Sequence, residues 1–170
     1  PGKQMPYVAL GPMTAGRAIR THGSFVSGTP GPTLWGGGLG VDLNNGGGTA
    51  LGKSGYNALA RGFKGIRFRA KVGGKPGALR DATVRFPDVN TDPAARRCNT
   101  CFNDYKTTIY LTRKWTEYVI LCSQLGQDTP SEGTADAVQP FAADAIMAIQ
   151  WRFHPGDVFD LYLDDIEFVR

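Results

Sequence analysis

Asp164 and Asp165 stand side by side near the end of the chain, and Cys98-x-x-Cys101 sits in its middle. Neighbouring residues of a strand point to opposite faces. The two aspartates therefore cannot face each other across a glycosidic bond, as the paired carboxylates of a glycosidase do. They suit oxygen ligation of a structural Ca²⁺ or capping of loop backbone. Cys98 and Cys101 are close enough to bridge within a loop. Redox and half-zinc motifs share that spacing, but neither a βαβ pattern nor a second Cys/His pair accompanies it. Cys122 continues the alternation of Tyr118 and Ile120 and reads as a small buried apolar residue. One disulfide plus one buried thiol fits an exported protein. His22 and His154 are the only histidines and lack metal-ligand spacing, and no G-x-S-x-G is present.

Gly47-Gly48-Thr49-Ala50-Leu51-Gly52-Lys53-Ser54 matches the phosphate-cradling G-x-x-x-x-G-K-[ST]. That chemistry needs Ser54 to open a helix whose N-terminal amides hold the phosphates. Gly55, Gly62 and Gly65 interrupt the following stretch, and no amphipathic helix can be drawn there. A parallel P-loop core also reads as continuous apolar runs, whereas the strands here alternate. Nucleotide binding is set aside on both grounds.

The elements that must position these residues read as strands. Phe159, Leu161 and Leu163 alternate with Asp160, Tyr162 and Asp164, and Ile166 and Phe168 resume one residue out of phase, which predicts a bulge at Asp164-Asp165. Ile66, Phe68, Ala70 and Val72 alternate with Arg67, Arg69 and Lys71. Residues 82–86 repeat this with Arg85 outward. Further strands are expected at 18–23, 34–43, 107–111, 116–122 and 145–153, the last with Gln150 and Arg152 outward. Trp35 and Trp151 fall on apolar faces and read as core. Glycines at 36, 38 and 40 leave one strand face bare, where a ligand or a neighbouring segment approaches closely. One helical turn is expected within 56–63, and 87–104 is a long loop.

The chain has 170 residues, 23 Gly and 11 Pro, with a net charge of +4. Length favours a single domain with a real core, residues 17–170, preceded by a Pro/Gly-rich lead-in or linker at 1–16. Many turns and about eight short strands predict an all-β antiparallel sandwich or barrel. No apolar run reaches the roughly 18 residues of a membrane span, and the absence of an initiating Met reads as a processed or excised module. Residues 1–86 hold 12 Lys/Arg against 2 acids, and residues 87–170 hold 7 against 13. The basic half could meet an acidic polymer, or the halves could pair across one domain.

Several of these stretches resemble the non-catalytic carbohydrate-binding modules with a galactose-binding-like jelly-roll fold. They are the Ala18 strand, Trp35-Gly36, Gly65-Ile66-Arg67-Phe68, Phe86-Pro87-Asp88 through Cys101 to Asp104, Leu111-Thr112 to Trp115, Gln124-Leu125, Ile149-Gln150-Trp151 and, most specifically, Phe159 to Asp165. The resemblance implies a two-sheet β-sandwich, no catalysis, and polysaccharide binding for an attached secreted hydrolase of plant cell walls. Neither a nucleic acid nor a membrane is expected as partner. The chain departs from such modules in having no acid before Asp42, where a Ca²⁺ ligand often lies, and in carrying Arg69 where many have an aromatic.

The mechanism so implied is a groove on one sheet, with sugar C–H faces stacked on an aromatic ring and hydroxyls bonded by planar polar groups. Tyr162 supplies the ring. Gln150, Arg152, Arg67, Arg69 and Arg85 donate, and Asp42 and Asp160 accept. A β-glucan or xyloglucan is the first expectation. The arginines could instead bind uronate carboxylates, or pair with Asp160 and Asp42. A lyase or binder of acidic polysaccharide, and a protein-interaction or adhesion sandwich, are the alternatives.

Overall fold

The structure, a computed structural model, describes residues 18–24, 36–46, 48, 52–98, 101–129 and 140–170. The lead-in at 1–16, Trp35 and half of the P-loop-like stretch (47 and 49–51) lie outside them. Among the described residues eight strands form: β1 (Ile19–Ser24), β2 (Gly37–Asp42), β3 (Gly65–Val72), β4 (Asp81–Phe86), β5 (Tyr105–Tyr110), β6 (Thr116–Leu121), β7 (Ala148–Phe153) and β8 (Val158–Val169). They make two four-stranded sheets, ordered β1-β8-β3-β6 and β2-β7-β4-β5, with every strand pairing antiparallel. This is the predicted all-β two-sheet sandwich. The last two strands enter the sheets late and take inner places, β7 between β2 and β4 and β8 between β1 and β3.

The alternation explains the core. Ile66, Phe68, Ala70 and Val72 of β3 and Phe159, Leu161 and Leu163 of β8 face Val84, Phe86, Ile149, Trp151 and Phe153 of the other sheet, all buried. Phe68 meets Trp151 edge-on at 5.2 Å, and Phe153 stacks on Phe159 at 5.1 Å. Each fully buried large apolar side chain contributes about 1.5–3 kcal/mol, so these cross-sheet pairs hold the two layers together.

Local differences from the expected elements have local causes. The strand expected at 145–153 starts only at Ala148, because Ala145, Ile146 and Met147 bond to the loops at Ala142, Tyr56 and Pro87. The helical turn is a single 3-10 turn, Leu59–Arg61, stopped at Gly62 with φ 71°. Cys122 opens another 3-10 turn after β6 and is half-buried rather than a strand core residue. The bulge forms in β8: the β3 partners jump from Arg67↔Glu167 to Arg69↔Asp164, and Asp165 takes φ 50°.

Candidate functional site

The register divides the eight expected sugar-binding residues. Asp42, Arg85, Gln150 and Arg152 lie on the outer face of the β2-β7-β4-β5 sheet. Arg67, Arg69 and Tyr162 lie on the outer face of the other sheet, about a sandwich's thickness away. Asp160 belongs to neither surface, because its side chain is wholly buried. A single groove holding all eight is therefore ruled out by the pairing.

On the β2-β7-β4-β5 face the strands line up two polar rungs. Gly40, Gln150, Arg85 and Lys106 are consecutive partners, and so are Gly38, Arg152, Thr83 and Thr108. The bare glycines have different reasons. A Cβ at Gly38 would lie 1.8 Å from the Trp151 carbonyl oxygen, so the neighbouring strand requires glycine there. At Gly40 a Cβ would make only ordinary contact, 3.5 Å from Gln150 Cγ. The floor is open at Gly40.

Two cavities follow these rungs. One, of about 530 Å³, is lined by Thr83, Arg85, Lys106, Thr108, Arg152 and His154 among others. The second, of about 160 Å³, is lined by Lys53, Thr91, Asp92, Phe102, Asp104, Gln150 and Arg152 among others. Arg152 lines both, so the two adjoin on this face, as one groove with Arg152 as its waist or as neighbours with Arg152 between them.

The 87–104 loop walls the groove. Asp88 is buried and accepts from the amides of Asn90 and Ala142 at 2.9 Å each. Cys98 and Cys101 are joined, S–S 2.04 Å. Phe102 follows with φ 82° and is 42% exposed at the rim. Its N–H donates to the Thr91 carbonyl at 3.0 Å, and its own carbonyl accepts from Arg85 Nη2. A left-handed phenylalanine is a strained conformation, held here by bonds on both sides.

The groove carboxylates have cations of their own. Lys53 Nζ lies 2.8 Å from Asp42 and 3.5 Å from Asp92, with its side chain buried. Arg85 Nε lies 3.2 Å from Asp104 Oδ2, at ion-pair distance but without hydrogen-bond alignment. Burial pushes the Asp104 carboxyl up, and Arg85 opposes that. Lys106 pairs with Asp128. Arg152 differs: its guanidinium makes no ion pair among the described residues, and its Nε is buried without a hydrogen-bond partner. Burial lowers its pKa from the ordinary arginine value, Arg85 lowers it further, and Asp104 partly opposes both. With Asp42, Asp92 and Asp104 tied to cations, the groove offers donors and flat polar surface rather than a facing acid–base pair.

Sequence reasoning missed Lys53, Asp92, Asp104, Lys106, Phe102 and His154 in this groove. Lys53 was visible only as the lysine of the P-loop pattern. In the structure no helix opens at Ser54, whose hydroxyl accepts from Asn44 Nδ2 at 2.7 Å. The other five come from strand ends and from the disulfide loop, whose folding back over β7 leaves no mark in the sequence period.

The opposite face carries a transverse row. Arg20, Tyr162 and Lys71 are consecutive partners on β1, β8 and β3, and Trp115 precedes β6 beside Lys71. The Arg20 and Lys71 cations lie 5.1 and 4.8 Å from the Tyr162 ring centre, and Lys71 lies 5.0 Å from that of Trp115. Because β1 and β3 flank β8, both sides of the Tyr162 ring already have a cation. Arg67 pairs with Glu167 at 2.6 Å and Arg69 with Asp165 at 3.9 Å. These are not the expected partners: Asp160 pairs with Arg20 at 2.8 Å and Asp42 with Lys53. Asp164 Oδ1 accepts from the Asp165 amide at 2.9 Å. No group of three or more carboxylate, histidine or cysteine side chains suited to a metal occurs among the described residues. Asp164 thus caps the bulge amide.

No family model matches the sequence, and no curated protein matches it. Solved structures do. A family 30 carbohydrate-binding module superposes over 89% of this chain and 75% of its own, with 14% identity and a TM-score of 0.54. The family 30 module of a cellulosomal cellulase of Clostridium thermocellum superposes over 92% of this chain and 77% of its own, with 14% identity and a TM-score of 0.55. At that identity the likeness establishes the fold alone: this chain has the two-sheet β-sandwich that those modules share.

Proposed function

We propose that the chain is a non-catalytic module that binds an extended plant cell-wall polysaccharide, β-glucan in type, in the groove on the β2-β7-β4-β5 sheet. The observation that carries the reading is the continuity of the two cavities through Arg152, along rungs of planar donors with an open floor at Gly40. A ribbon-like β-linked chain fits a long shallow groove, its hydroxyls meeting Gln150 and Arg152 and one pyranose face meeting the exposed Phe102 ring. The carboxylates, each held by a cation, support binding without bond cleavage. The likeness in fold to a module of a cellulosomal cellulase and the Cys98–Cys101 bridge support a secreted module serving a larger hydrolase. No helix among the described residues is long and apolar enough to cross a membrane.

Affinity electrophoresis in gels containing β-glucan, xyloglucan or pectin tests this. Retardation is expected with the wild type, lost with Gln150→Ala and kept with Tyr162→Ala. Loss with Tyr162→Ala alone would move the groove to the opposite sheet. No retardation in any gel would remove the carbohydrate reading.

A further inference from the structure

The waist of the groove has an unmet electrostatic demand. Arg85 and Arg152 flank one buried carboxylate, Asp104, which lies at ion-pair distance from Arg85 alone. Lys106 is matched by Asp128, and His154 lines the same cavity. Arg152 is thus a partly buried cation, close enough to Arg85 to be repelled by it. It shares the single carboxylate of Asp104 with Arg85 at longer range, makes no close ion pair among the described residues and has no hydrogen-bond partner for its Nε. Desolvated charges are costly unless paired. Arg152 reaches both cavities and the open groove between them, so its missing partner enters from the groove. A guanidinium's planar fork of donors matches a carboxylate in two parallel bonds, and a neutral hydroxyl cannot supply the charge.

We propose that Arg152, backed by Arg85, is a carboxylate-binding subsite, and that the β-linked chain taken by this groove is a glucan-like polymer bearing uronic acid units among its neutral sugars. The subsite rests on the groove reading above and adds a charge requirement to it.

The test compares two ligands that differ only at C6: cello-oligosaccharides, and the same oligosaccharides oxidised at C6 to uronates. Titration calorimetry on the intact chain measures the ratio of the two affinities. The uronate form is expected to bind at least about tenfold tighter, with the advantage shrinking at high salt. Arg152→Gln is expected to bring the ratio close to one, and Arg152→Lys to restore part of it, because the charge returns without the fork. Equal wild-type affinities at low salt would overturn the subsite and leave the groove standing. Failure to bind either ligand would remove the groove reading itself. A preference that survives in a folded Arg152→Gln protein but vanishes in Arg69→Gln would place the carboxylate on the opposite sheet and overturn the proposal. The wild-type ratio and its salt dependence decide the matter even if Arg152→Gln does not fold.

Discussion

The two outer faces of the sandwich carry similar side chains in opposite states. On the β1-β8-β3-β6 face, Arg20, Arg67 and Arg69 each meet a carboxylate, and Lys71 lies between two rings. That face satisfies itself. On the β2-β7-β4-β5 face, the disulfide loop walls a groove and partly buries Arg152, leaving its Nε without a hydrogen-bond partner and Asp104 paired at short range with Arg85 alone. Arginine count therefore does not distinguish a binding face from a structural one. What distinguishes them is whether the fold completes the charge or leaves it for something else to complete.

The sharpest way to break this comparison is to fill one groove. Gly40→Tyr adds a ring where only Gln150 Cγ lies near, so the fold should tolerate it. Glycan affinity should then fall by about tenfold or more, since a bound chain would lose its floor. Calorimetry with the native melting curve as control measures this, and unchanged affinity would detach the groove from binding.

A smaller effect is expected from the self-satisfied face. Asp160 takes two bonds from Arg20, at 2.8 and 3.1 Å, and one from the Lys75 amide at 3.1 Å. Asp160→Ala leaves those donors unmet and should cost about 1–3 kcal/mol in urea unfolding. The bond from Arg20 holds this carboxyl below its usual range, against the opposing effect of burial. Its contribution is then complete above the ordinary carboxylate range and is lost as pH falls through the lowered value. The gap between wild type and Asp160→Ala should accordingly narrow in acid.

The smallest effect concerns the bulge. Asp164 caps the Asp165 amide and Arg69 opposes Asp165. Chelation with EDTA should leave the melting temperature unchanged, and a clear drop would restore Ca²⁺ to Asp164 and Asp165.

Strand identity was legible because the core alternates cleanly: Ile66 to Val72 and Phe159 to Leu163 announce their inner sides, and the phase slip after Leu163 announced the bulge. Sheet membership was not legible. Period two tells which side of a strand a residue takes, but Arg69 and Arg85 look alike until β3 is seen to pair with β8 and β4 with β7. Such pairings join segments far apart in sequence. Asp160 misled for a related reason: alternation placed it outward, yet Arg20 and the 73–75 loop close over it. Gly38 and Gly40 stand in one repeat with different causes, one a close backbone approach and the other an open floor.

The bulge also changes the parity of the last strand. Before it, odd-numbered residues enter the core: Phe159, Leu161 and Leu163. After it, even-numbered ones do, Ile166 and Phe168, the latter stacked on Tyr56 and Phe63 at 5.2 and 4.9 Å. Asp165 is the residue that switches the count. Deleting it would restore a single parity and remove the bulge, with Ile166 and Phe168 still inward and Glu167 still outward. Length at this point is thus part of the strand's shape rather than of its sidedness: the extra residue bends β8, and its loss should straighten the strand while sparing the core.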